Sequence, residues 1–221
     1  VYLVVAIDLI EKALLSHSKT SKKITKTNVD ALQSAVKHIK GMLEHVNKAV
    51  LLVDVKTLRY NLQRPVLQLA ERLNVPVSSL MQGKSGFDES HPQYIGVYAG
   101  AFGSKDVTET VEEADLIIAV GAVWSDVNTS KGTAKLNPLK MVEIQPDTLK
   151  VGEASYMNVK AEEILNALQD IGYRQNESVG NISFPYDTMV EDPSAPLKAT
   201  SYYPRIQEML KENDIVVTGT G

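Results

Sequence analysis

Cysteine is missing altogether from these 221 residues. Disulfide scaffolds, thiolate nucleophiles, iron–sulfur clusters and cysteine zinc sites are therefore excluded. The absence also fits a reducing compartment, and a cytoplasmic location is the expectation. A dominant charge sign is lacking too. Lys and Arg number 23 against 27 Asp and Glu, a net charge of −4, so no global basic field exists for nucleic acid or anionic lipid. No run reaches the roughly 18 apolar residues that cross a bilayer. The apolar opening Val1–Ile10 is broken by Asp8 and has neither a basic leader nor a cleavage site, so it is not a signal peptide. An initiator Met is absent as well, and the abrupt start in the strand-like Val1-Tyr2-Leu3-Val4-Val5 suggests a chain cut from something longer.

What is present is ordinary. Hydrophobic residues make up 43% and charged residues 23%, the usage of a folded domain rather than a disordered or fibrous chain. The length corresponds to about one and a half domains of average size. Residues 16–27 carry Lys19, Lys22, Lys23 and Lys26 and read as a solvated linker. From Asn28, a plausible N-cap, Leu32, Val36, Ile39, Leu43 and Val46 recur at helical spacing. Ala49–Val53 reads as a strand buried on both faces. A helix over about 62–73 follows, with Pro65 tolerable in its first turn, then a strand over 75–81. A long loop holds Gly83, Gly86, His91, Gly96, Gly100 and Gly103. Ser104 caps a helix through Val111, Leu116–Val120 and Met141–Ile144 are strands, and a helix carrying Ile164, Leu165, Leu168 and Ile171 ends at Gly172. Helices alternating with apolar strands that lack a period of two give a doubly wound α/β domain over 28–173, with a mostly parallel sheet and helices on both faces. Residues 174–200 read as a linker. A last helix over 203–211 is expected to feed a strand over 214–217.

The motifs that would carry chemistry fail on inspection. Gly83-Lys84-Ser85 ends like a P-loop, but position 78 is Ser where the motif needs Gly. After Val53 the chain reads Asp54-Val55-Lys56-Thr57-Leu58, with no glycine to let a backbone approach a pyrophosphate. His17, His38, His45 and His91 form no metal-ligating pair, and no Gly-x-Ser-x-Gly elbow exists. Glu112 and Glu113 read as surface charges, and His91 as a loop-structuring residue. No catalytic residue and no metal ligand is assigned.

The long loop nevertheless carries a likeness. Gly83-Lys84-Ser85, His91-Pro92-Gln93-Tyr94-Ile95-Gly96-Val97-Tyr98-Ala99-Gly100, Glu113-Ala114-Asp115-Leu116-Ile117-Ile118, Gly121 and Ser125-Asp126-Val127-Asn128-Thr129 resemble the central domain of thiamine-diphosphate-dependent 2-oxo acid decarboxylases, in the indolepyruvate/pyruvate decarboxylase group. The resemblance implies a Rossmann-like central domain. It places 1–27 as the tail of an N-terminal pyrimidine-binding domain plus linker, and 201–221 as the start of a C-terminal diphosphate-binding domain. It implies a carboxy-lyase parent that uses thiamine diphosphate and Mg on a 2-oxo acid, assembled as a homodimer or homotetramer, with no nucleic-acid or membrane partner. The family's activating glutamate would lie before Val1 and its Gly-Asp-Gly metal motif after Gly221, so the 221-residue chain itself is expected to be inactive and to bind no cofactor tightly. The one cofactor contact that the resemblance transfers is Thr218-Gly219-Thr220, flanked here by Val217 and Gly221. The loop from Gly83 to Gly103, with Tyr94, Tyr98 and Phe102, is expected to form a subunit or inter-domain contact. The alternative reading is a regulatory module that binds FAD or ADP.

Overall fold

A computed structural model describes residues 26–176, 194 and 196–218. Asn28 caps α1 (Val29–Leu43) by accepting the Ala31 amide at 3.1 Å. The chain then builds β1 (Ala49–Val53), a short α2 (Val55–Arg59), α3 (Gln63–Leu73) and β2 (Val77–Leu80). It continues through β3 (Tyr94–Tyr98), α4 (Lys105–Glu112), β4 (Leu116–Val120), β5 (Met141–Ile144), β6 (Thr148–Val151), β7 (Ala154–Met157), α5 (Ala161–Leu168) and α6 (Ala199–Met209).

The seven strands lie in the order β3-β2-β1-β4-β5-β6-β7. The five strands from β3 to β5 in that order run parallel; at the β5 edge β6 turns back antiparallel and β7 turns back again, so that β7 runs in the same direction as those five. β1 and β4 are apolar throughout because both of their faces are covered. Ala49, Leu51 and Val53 pack with Leu69, Leu73, Ile164 and Leu165 of α3 and α5. Val50 and Leu52 pack on the other face with Val107 and Val111 of α4. This is the doubly wound α/β arrangement expected from the sequence.

Several local expectations need correction. The loop from Gly83 to Gly103 contains β3, and it does not present Tyr98 to a partner. That ring is fully buried in the core under α4 and donates its hydroxyl to Glu112 Oε1 at 2.9 Å. Glu112 is accordingly not a free surface charge, since it also accepts the Lys135 amide at 3.0 Å. The β6–β7 hairpin was not foreseen. Residues 214–217 form no strand: no partner strand lies beside them among the described residues, and Ile215 and Val217 are 91% and 90% exposed. The last helix starts earlier than expected, at Ala199, and contains Pro204.

Large apolar side chains left in water are unevenly distributed over the α/β domain. Leu139, just before β5, is at the amino end of the parallel strands. Val29, Tyr60 and Met157 belong to segments at the carboxyl end, as do four others taken up below.

Candidate functional site

Open parallel sheets bind ligands at their carboxyl edge, where the strand order reverses and a crevice opens. Here the reversal falls between β1 and β4, so residues 54–57 and 121–123 form the crevice walls. The walls touch. The Asp54 amide donates to Val120 O at 3.1 Å, the Lys56 amide to Gly121 O at 3.3 Å, and the Thr57 amide to Asp54 O at 2.8 Å. Gly121 has φ +67°, and a Cβ there would lie 2.6 Å from the Thr57 nitrogen. Only glycine permits this approach. The amides that would cradle a phosphate are engaged with protein carbonyls, and the gap is closed at backbone contact. Lys56 Nζ donates to Gln145 Oε1 at 2.8 Å, and Gln145 Nε2 to Ala122 O at 2.8 Å.

A polar joint lies behind this seal. Asp54 is fully buried. Its Oδ2 accepts the Val123 amide at 2.7 Å and Asn128 Nδ2 at 2.8 Å, while Oδ1 has no hydrogen-bond partner. Asn128, also fully buried, donates to Val123 O at 2.8 Å and accepts the Gln82 amide at 3.1 Å. Gly83 sits directly over Asp54: a Cβ there would fall 2.4 Å from Asp54 Cα. The loops that follow β1, β2 and β4 are thus tied to one another through two side chains. Burial pushes the Asp54 carboxyl above the ordinary aspartate range, against the opposing effects of the Val123 amide, the nearby Val55 amide and Asn128. With no nucleophile beside it and no opening to solvent, this carboxylate holds loops and cannot act on a substrate.

The other residues singled out in the sequence are placed plainly. Lys84 pairs with Glu89 at 2.7 Å instead of facing a phosphate, and Ser85 adopts φ +67°. His91 structures its loop: Nδ1 accepts the Gln93 amide at 3.2 Å, Nε2 lies 3.5 Å from Glu71, and the ring meets Phe87 edge-on at 5.2 Å. His38 contacts the Tyr156 hydroxyl at 3.1 Å. Thr218 is exposed, and Gly219 and Thr220 lie outside the described residues. Among the described residues no three His, Asp or Glu side chains could hold a metal together, and no helix is long and apolar enough to cross a membrane. A cavity of about 660 Å³ lies beside Arg64, Lys84 and Phe87. Another, of about 630 Å³, lies at the amino end of the sheet beside Lys48, Asp106 and Glu113. Neither assembles a catalytic group with an activating partner. Among the described residues no group that could hold the metal of a thiamine diphosphate site is brought together, so no chemical step is assigned to them.

Sequence reasoning missed the Asp54–Asn128 joint. Its signal was available: an ionisable residue follows at once on a wholly apolar strand, where burial forces it to find donors.

Residues 36–168, from within α1 to the end of α5, match the family model described as "Thiamine pyrophosphate enzyme, central domain". The chain belongs to that family. Pyruvate decarboxylases are among its relatives. The enzyme of Candida albicans is 28% identical over 216 residues, covering 96% of this chain and 38% of its own length. That of Hanseniaspora uvarum is 31% identical over 223 residues, covering 97% and 39%. The chain therefore spans about two fifths of the length of these curated relatives. Benzoylformate decarboxylase from Polynucleobacter necessarius shares the fold, with a TM-score of 0.56 and 18% identity over 90% of this chain and 38% of its own. The doubly wound sheet is therefore that of a thiamine-pyrophosphate-enzyme central domain.

Proposed function

We propose that this chain is the central, structural part of a non-oxidative 2-oxo acid decarboxylase that turns pyruvate or indolepyruvate into an aldehyde and carbon dioxide. The observation that carries this reading is the sealed switch-point crevice in a chain whose relatives are pyruvate decarboxylases. A central domain whose ligand crevice is closed by its own backbone serves to space and connect the parts that hold the cofactor. Thiamine diphosphate, with Mg, supplies the electron sink for loss of carbon dioxide. In this reading both are held by polypeptide outside residues 1–221, except for a contact from Thr218-Gly219-Thr220. The working assembly is a homodimer or homotetramer in the cytoplasm. In domain terms, 28–173 is the central domain, 1–27 and 174–200 connect it to its neighbours, and 201–221 opens the cofactor domain.

The test is aldehyde release from pyruvate and from indolepyruvate with thiamine diphosphate and Mg added, run on the 221-residue chain and on the longer polypeptide that carries it. Turnover is expected from the longer polypeptide alone. Turnover by the 221-residue chain would refute the structural reading. Micromolar binding of FAD or ADP by calorimetry would favour the nucleotide-module alternative, against which the engaged Lys56 and Thr57 amides argue.

A further inference from the structure

Eight large apolar side chains of the α/β domain are substantially exposed, and seven of them belong to segments at the carboxyl end of the sheet. Such a bias is not what a surface facing only water shows. Scattered exposed apolar residues are normal; concentration on one side marks an interaction surface. Scaling each residue's exposure by a full area of about 150–250 Å² gives on the order of 700 Å² over the seven. Summed over seven separate side chains, this approaches the roughly 800 Å² that one partner contributes to a standard interface.

Four of the seven are held in a fixed arrangement. Met81, Trp124 and Val127 are 50%, 38% and 47% exposed. Each is the immediate neighbour in sequence of a residue in the Asp54–Asn128 joint: Gln82, Val123 and Asn128. Trp124 is further fixed by a 2.6 Å hydrogen bond from its indole nitrogen to Glu143. Phe102 is 79% exposed at the end of the β3 loop, where the neighbouring Ala101 amide donates to Thr133 Oγ1 at 3.0 Å. Hydrogen bonds, of the buried joint for three of the side chains and of the surface for Phe102, therefore present apolar side chains to solvent with their loops already ordered, which lowers the cost of binding.

The path of the chain selects the occupant. The Asn28 amide donates to Asn158 O at 2.7 Å, just beyond β7, so the chain enters the domain at the carboxyl end, with Val29 in the exposed set. It leaves from the opposite side. Gln175 accepts the Ala49 amide at 2.8 Å, at the amino end of β1. Whatever precedes residue 28 is tethered at the apolar face, at an effective concentration that favours docking there; whatever follows residue 175 starts from the far end.

We propose that the carboxyl face of this sheet is the docking surface for the domain that precedes it in the same polypeptide. The proposal rests on the reading of this chain as the middle of a longer enzyme. It is tested by Phe102→p-benzoylphenylalanine in that full-length polypeptide, irradiated and then mapped by peptide mass spectrometry. The expected result is an intramolecular cross-link to a peptide upstream of Asn28. Three results would overturn the proposal: a cross-link only to peptides beyond residue 176, a cross-link only between copies in a mixture of isotopically light and heavy protein, or no cross-link at all. Pyruvate turnover by unirradiated protein from the same preparation is read separately. An active enzyme without the upstream cross-link would remove this interface and leave the functional reading standing; an inactive one with the cross-link would do the reverse.

Discussion

Three glycines test whether the joint under the carboxyl face is as tight as its geometry implies. Gly83→Ala places a Cβ 2.4 Å from Asp54 Cα and 2.5 Å from Val53 O, both backbone atoms that cannot swing aside. Ordinary van der Waals contact requires the 82–84 segment to retreat by about 1 Å, a shift that strains the 3.1 Å bond from the Gln82 amide to Asn128. Overpacking of this kind costs about 1–3 kcal/mol, and loosening a hydrogen-bonded buried group adds about 1–3 kcal/mol. The expected loss is therefore about 3 kcal/mol, or roughly 6–12 °C in melting temperature for a chain of this size. Gly132→Ala meets nothing within 4 Å but sits at φ +80°, so only the left-handed backbone opposes it, at about 1–2 kcal/mol. Gly41→Ala, inside α1 and equally unobstructed, should stabilise by about 0.5–1 kcal/mol through helix propensity. Urea unfolding of the 221-residue chain, followed by the fluorescence of its single tryptophan, measures all three. If Gly83→Ala costs no more than Gly132→Ala, the loop is not clamped over Asp54 and the joint is not rigid.

Asp54→Asn should stabilise the chain at pH 7 and flatten its pH dependence. The folded-state pKa of Asp54 is raised by burial, so the stability tied to its protonated form is fully present below the unfolded value near 3.9 and is lost as pH rises through the folded value; urea midpoints for both proteins from pH 3.5 to 7 that stay parallel would refute this. Tyr98→Phe should cost about 1 kcal/mol for the lost bond to Glu112, and Tyr98→Ala about 3–5 kcal/mol for a core ring, read as thermal melts. A melt unmoved by Tyr98→Ala would restore the ring to an interface. Gln175→Ala should cost about 1–3 kcal/mol, because it strips the acceptor from the buried Ala49 amide; a chain ending at 173 should therefore be less cooperative in urea than one ending at 176.

The core of the sheet was legible because its chemistry is uniform. Ala49–Val53 and Leu116–Val120 lie between helices, so every position is apolar and each strand ends where polarity resumes; Met141–Ile144 is apolar and buried except at the half-buried Glu143. Asn28 and Ser104 were legible as caps because a side-chain acceptor before an apolar period has few other uses. What stayed hidden lies at the edges. β3 carries Gly96 at φ +111° in its middle, and its pairing with β2 shifts register between Val77 and Ser78, so Tyr94-Ile95-Gly96-Val97-Tyr98 reads as loop. Over only four positions each, β6 sets buried Leu149 and Val151 against exposed or half-buried neighbours and β7 alternates half-buried with exposed residues, and they turn at Gly152, φ +55°. Tyr98 was misjudged for the same reason: once its strand was taken for loop, a core ring passed for contact area.

The crevice shows how a binding fold can be turned to another use by a few residues. Where this architecture grips a dinucleotide, glycines after the first strand open a path to free amides. Here Val55, Lys56 and Thr57 continue into a short helix whose leading amides bond to Asp54 and to the β4 loop. Closing the crevice in this way leaves a carboxylate in the interior with one oxygen unsatisfied, an arrangement that well-packed apolar side chains would often improve upon in stability. Stability alone therefore does not account for Asp54. What the carboxylate does supply is direction: one oxygen accepts from both Val123 and Asn128, and Asn128 reaches on to Gln82. An apolar plug would leave these loops free to slide, whereas hydrogen bonds fix their relative positions to within a few tenths of an ångström. The same buried charge that costs the domain stability thus holds Met81, Trp124 and Val127 where a neighbouring surface can meet them.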